Sequence, residues 1–216
     1  GRTGVPADAL AVVRNVTGVN PSRATNVRVY PTPAASEDQT PPEVSNLNLR
    51  AGRDQPNLVT VALGDGGRVR LYSQTADVNL VADLAGYYSA NGADGFVALA
   101  PTRIADSRSA LGLAGGRLVA GTTAYLVVAG HGGVPLTADS VVLNVTSVRP
   151  DRLSNVRVFP RSASGTVPLV SNLNVVAARD EANLVIVRLG TGGAVGLYSQ
   201  SASLHAVVDV AGYFTR

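Results

Sequence analysis

The chain has 216 residues, of which 45% are hydrophobic and 15% charged, so it can bury a core as one large β domain or two ordinary ones. All 18 basic residues are arginine, and there is no Lys, Cys, Met or Trp and only two histidines. This excludes Schiff-base and thiol nucleophiles, P-loop lysines, disulfides, thiolate metal sites and histidine-rich metal clusters.

The net charge of +3 is spread thinly, with arginines alternating with aspartates and apolar residues. That pattern argues against nucleic-acid binding, which concentrates basic residues and adds stacking aromatics. No apolar run approaches the ~18 residues a membrane-spanning helix needs, so no membrane insertion is expected.

In chain order, the hydrophobic period is two rather than 3.6, which predicts strands. They fall near residues 9–19, 25–30, 44–50, 57–63, 68–74 and 78–88. In NLVTVALG, Val59, Val61 and Leu63 share one face and Thr60 and Ala62 the other. Val69 and Leu71 continue the inward face, with Arg68 and Arg70 outward. The intervening GDGG, Gly64 to Gly67, supplies the positive-φ residues of a hairpin. A middle segment, about 91–130, adds two candidate strands, Phe96–Ile104 and Arg117–Ala129.

The rest of the chain repeats the first part. GVPADALAVVRNVTGVNPSRATNVRVYP from Gly4 returns from Gly133 as GVPLTADSVVLNVTSVRPDRLSNVRVFP. VSNLN, NLVTVALGDGGRVRLYSQ and VADLAGYY return as VSNLN, NLVIVRLGTGGAVGLYSQ and VVDVAGYF. The second copy therefore places Val185, Val187, Leu189, Val195 and Leu197 inward, and leaves Ile186 and Arg188 on a wet face.

Short strands, regular turns and frequent Gly and Pro predict an all-β protein of two tandem related antiparallel β-sandwich units, jelly-roll-like because eight strands suit that form. The units span residues 1–90 and 91–216, the second including the linking segment. There are two copies of the six-strand repeat and one middle segment. One unit is therefore expected to lack two strands, with its edge and part of its apolar face open. Which unit the segment completes stays open.

The segments GGVP, VVLNVTSVRP, SNLN, NLVIVRLGTGGAVGLYSQ and HAVVDVAGYF resemble a repeat module of secreted and surface proteins of actinobacteria. PTRIADSR, Pro101 to Arg108, resembles the opening motif of that module. The resemblance covers nearly the whole chain. It implies a secreted, cell-surface or cell-wall-associated location and a non-catalytic accessory role, with no active-site motif to carry over. The first copy begins at its GVP motif and has no PTRIADSR of its own.

No catalytic constellation is expected. His131 and His205 stand where the other copy has Arg2 and Asn79, and Ser199, Ser203, His205 and Asp209 lie too nearly along one strand to converge as a triad. Isolated acids beside arginines read as ion pairs rather than calcium or other metal ligands, so no metal and no cofactor are expected. The paired asparagines are the more informative class. Asn46, Asn48, Asn172 and Asn174, with Tyr72 and Tyr198 as aromatic platforms, are the candidate ligand-binding residues, since amides can bond sugar hydroxyls. The same asparagines can instead satisfy turns and strand ends.

Two functions follow as expectations. One is a non-catalytic structural or adhesion module, whose partners are other copies of itself joined by strand exchange into a fibre or surface layer. The other is a carbohydrate-binding module for cell-wall or environmental polysaccharide.

Overall fold

The computed structural model describes residues 4–43, 45–92 and 94–216. The chain divides into two compact units, Gly1–Gly92 and Ala93–Arg216. Among the described residues there is no α-helix, and every strand pairing is antiparallel.

The first unit contains β1 (Ala9–Val19), β2 (Thr25–Pro31), β3 (Leu47–Leu49), β4 (Gln55–Ala62), β5 (Val69–Ser73) and β6 (Asn79–Ser89). They form two three-stranded sheets, ordered β4-β1-β6 and β3-β2-β5. The second contains β7 (Gly95–Asp106), β8 (Thr123–Val127), β9 (Ser140–Val148), β10 (Ser154–Pro160), β11 (Leu173–Val175), β12 (Glu181–Arg188), β13 (Ala194–Ser199) and β14 (His205–Thr215). These form two four-stranded sheets, β12-β9-β14-β7 and β11-β10-β13-β8.

The second unit is thus an eight-strand jelly roll, each sheet taking two of the unit's first four strands and two of its last four. The first has the same order without the two strands that β7 and β8 supply. The segment between the repeats completes the second unit, and the first is left short.

Alternation of Val and Leu with polar residues turns one face of each sheet inward. The second core joins Val141, Leu143 and Val145 of β9 to Val156 and Val158 of β10, and Val185 and Val187 of β12 to Val195 and Leu197 of β13. The segment contributes Ile104, Ala105, Leu118, Leu126 and Val128 to the same core. In the first unit the buried core cluster comes from β1 to β4 and comprises Val12, Val16, Val27, Val29, Leu47, Leu49, Val59 and Val61.

The predicted inward faces hold at Val59, Val61, Val185, Val187, Val195 and Leu197, all buried, while Leu63, Val69 and Leu189 are half-buried. Leu71 is a correction. It is exposed because no strand lies beyond β5 to cover it.

Two expected strands are shorter than the pattern suggested. The third covers only Leu47–Leu49, Val44 lying outside the described residues. Asn46 leaves the ladder there because its side-chain Oδ1 accepts the Val29 N–H at 2.6 Å. In the segment, Arg117–Ala129 narrows to Thr123–Val127, with Leu118 making a separate bridge to Leu204. The GDGG hairpin has Gly66 and Gly67 at positive φ. Gly64 packs so closely on the Thr32 backbone that a Cβ would overlap it, and its twin Gly190 does the same against Arg161.

Candidate functional site

The site is defined by contrast between the two units. In the second, β7 runs along β14, pairing Asp106 with Val207, Arg103 with Asp209, Thr102 with Val210 and Phe96 with Phe214. β8 runs along β13 from Thr123–Tyr198 to Val127–Ala194. The PTRIADSR motif fastens this edge. Arg103 Nε donates to Asp209 Oδ1 at 2.9 Å. Arg108 donates from Nε and Nη2 to the two Asp106 oxygens at 2.9 and 2.7 Å, and from its backbone N–H to Oδ1 at 3.0 Å. This fork, with Arg103 adding to it, holds the Asp106 carboxyl down at about 2. Ser107 donates its N–H to the Ala206 carbonyl and accepts the Ala206 N–H on its hydroxyl. Between the charges, Ile104 and Ala105 go into the core.

In the first unit the corresponding strands, β5 and β6, have no neighbour on that side among the described residues. Val81 is 48% exposed where its twin Val207 is 4%, and Leu71 is 38% exposed where its twin Leu197 is wholly buried. Leu84, Tyr87 and Tyr88 are also exposed on β6. A cleft of about 640 Å³ opens beside β6, lined among others by Val12, Arg14, Leu63, Ala82, Asp83 and Leu84. Asp83 is the twin of Asp209. No arginine meets it among the described residues, and burial pushes its carboxyl up from the usual range.

Arg14 stands where the second unit has the core residue Leu143. It sits directly opposite Leu84, and its Nε is buried with no hydrogen-bond partner among the described residues.

Glycines report the same vacancy. Gly212 lies under the Phe96 ring, Gly193 under Ala129 and Gly133 under Leu99, closely enough that a Cβ would press on each neighbour. Their twins Gly86, Gly67 and Gly4 have nothing within 4 Å of an added Cβ. Gly67 and Gly4 also have positive φ, but Gly86 does not. Nothing described within the first unit requires glycine at position 86.

The residues singled out from sequence fall elsewhere. Asn46 and Asn172 bind backbone: their Oδ1 atoms accept the Val29 and Val158 N–H groups, each at 2.6 Å. Their own carbonyls accept the side-chain amides of Asn57 and Asn183. Asn48 and Asn174 accept hydroxyls from Ser45 and Ser171.

Tyr72 and Tyr198 lie on the outer faces of β5 and β13, each under a guanidinium, Arg28 at 5.5 Å and Arg157 at 5.4 Å from the ring centroid. Each arginine also donates to an asparagine, Asn26 or Asn155, whose amide donates to Gln74 or Gln200. The structure thus brings each tyrosine together with Arg, Asn and Gln, and Asn48 and Asn174 lie directly opposite Asn26 and Asn155 on the same sheet face, whereas Asn46 and Asn172 are engaged with backbone. His205 Nδ1 is 3.2 Å from the Ser107 hydroxyl. Asp209, the acid of an imagined triad, is engaged by Arg103. Among the described residues no three of His, Asp and Glu gather as a metal site, and no helix is long and apolar enough to cross a membrane.

Sequence reasoning found the missing strands but not Asp83, Arg14 and Gly86 as the residues that line the gap. The signal was present in the twin alignment, where Arg14 opposes Leu143 and a glycine is kept at 86. No family model and no curated protein matches the chain.

Proposed function

We propose that the chain is a non-catalytic structural or adhesion module of a secreted or wall-associated protein, joined to other polypeptides by strand addition at the open edges of its first unit. The observation that carries this reading is the pair of uncovered strands β5 and β6, whose twins β13 and β14 are covered by β8 and β7. Unpaired strand edges beside an apolar cleft template the addition of another strand, with main-chain bonds giving affinity and alternate side chains giving specificity. The location rests on the resemblance of the repeats to surface modules. The absence of catalysis is supported by the side-chain roles already described, in which Asp106 and Asp209 are held by arginines and the Ser107 hydroxyl accepts a backbone N–H.

The test uses the intact chain and a synthetic peptide of residues Gly95–Gly130, followed by sedimentation and amide hydrogen exchange. A one-to-one complex with slowed exchange in β5 and β6 is expected. A chain that stays monomeric at all concentrations, with β5 and β6 exchange untouched by the peptide, overturns the reading.

A carbohydrate-binding role is the second reading, favoured by the Tyr–Arg–Asn–Gln cluster that recurs on both units. Polysaccharide retention lost in both Tyr72→Ala and Tyr198→Ala would favour it.

A further inference from the structure

Each copy of the chain carries one segment of the β7–β8 kind and two units able to take it. Exchange among copies therefore leaves as many edges open as it closes, and the segment that fills the first unit must come from a different stretch of polypeptide. Its chemistry can be read from the edge it meets.

We infer that this partner is an extended segment whose strand along β6 reads aromatic, five residues, glutamate, arginine. The inference rests on the strand-acceptor reading above and adds the identity of the donor.

The register is set by the second unit. There Phe96 covers Gly212, Thr102 opposes Val210 and Arg103 opposes Asp209. Transferred to β6, the same spacing puts the aromatic ring over Gly86, beside Tyr88, and the arginine against Asp83. The Phe96 and Phe214 rings, with centroids 5.2 Å apart, are the template for the first contact. The 2.9 Å pair of Arg103 and Asp209 is the template for the second.

The third position distinguishes this partner from the chain's own segment. In the second unit the row across the sheet runs from the buried Leu143 and Val210 to Thr102, which is exposed on the edge strand. In the first it runs Arg14, Leu84 and then the open edge. Directly opposed residues point to the same side of the sheet. Two strand spacings, about 10 Å, separate Arg14 from the incoming strand, a gap that an arginine and a glutamate close together. An apolar residue or threonine there would shut the cleft over a guanidinium whose Nε has no acceptor among the described residues, whereas a carboxylate satisfies it.

The test titrates the intact chain with two peptides, residues Gly95–Gly130 and the same peptide with Thr102→Glu, and localises binding by amide exchange in β5 and β6. The Thr102→Glu peptide should bind about tenfold more tightly, and Arg14→Leu in the chain should abolish that preference. Gly86→Val should weaken both peptides at least about tenfold. It should leave the melting temperature of the free chain unchanged, because its side chain enters open space. Asp83→Asn, an isosteric change, should weaken both about threefold.

If neither peptide binds, the strand-acceptor reading falls with the inference. If both bind at β5 and β6, but Gly86→Val, Arg14→Leu and Asp83→Asn leave the affinities equal and unchanged, the donor sequence falls while the acceptor stands.

Discussion

Asp106 shows how much of the second unit's edge depends on one carboxylate. Its oxygens hold the Arg108 fork and lie 3.9 Å from Arg103, and its backbone exchanges hydrogen bonds with Leu111. The folded carboxyl is held at about 2, below its ordinary value of 3.8. A depressed folded value means that the stabilisation is complete above the unfolded value. It is lost as the pH falls from about 4 to about 2. The melting temperature of the intact chain should therefore fall more steeply across that window than that of Asp106→Asn, which lacks the titrating group. Parallel curves would show that the fork contributes nothing to folding. The asparagines have a comparable role at strand ends. Asn46 and Asn172 each replace a ladder bond with a side-chain bond, the physical reason both copies keep an amide there.

At the level of elements, the two faces of the matching strands β4 and β12 differ sharply. Val187 is buried against the opposite sheet, whereas Thr60 and Arg188 point to water. Val187→Asp should destabilise the second unit by several kcal/mol, since it buries a carboxylate with no cation near. Thr60→Asp should change the stability of the first by less than about 0.5 kcal/mol. Urea unfolding of each variant checks both, and equal losses would mean the faces are misassigned.

These faces were legible because period-two alternation is a local property, read residue by residue along NLVTVALG and NLVIVRLG. The strand count and the unpaired middle segment were legible for the same reason, through the duplication. The exposure of Leu71 was not legible from its own strand. Its inward alternation, Val69 and Leu71, matches Val195 and Leu197, and the strand beyond decides whether the face is covered. The bonding of the candidate amides was not legible, because sequence shows that an asparagine is present but not that Asn46 and Asn172 accept a backbone N–H while Asn48 and Asn174 accept a serine hydroxyl. The cleft residues were missed because Arg14 becomes unusual only when set beside Leu143 and Leu84.

Across the whole molecule, the two units rest on unequal foundations. The second closes its core with Ile104, Leu126 and Val128 from the linking segment, and the first has nothing in their place. Denaturant unfolding should therefore occur in two steps, the first unit opening at the lower urea concentration because it buries less apolar surface. Saturating peptide Gly95–Gly130, at about a hundred times its dissociation constant, should raise the stability of the first step by about 2.7 kcal/mol and leave the second in place. A single cooperative transition, or a shift in both steps, would show that the units do not differ in this way.

The placement of the linking segment also has a consequence for how the protein is made. Strand β6 ends at Ser89 and β7 begins at Gly95, a separation short enough for a hairpin. β14, the strand β7 finally joins, begins only at His205. At ~5–20 residues per second, a ribosome delivers β14 about 5–20 s after β7. Throughout that interval the first unit is the only sheet already synthesised that has a vacant edge among its described residues, and β7 follows it in sequence after a short connection. The chain can thus form an early hairpin that it must surrender before the second unit can close.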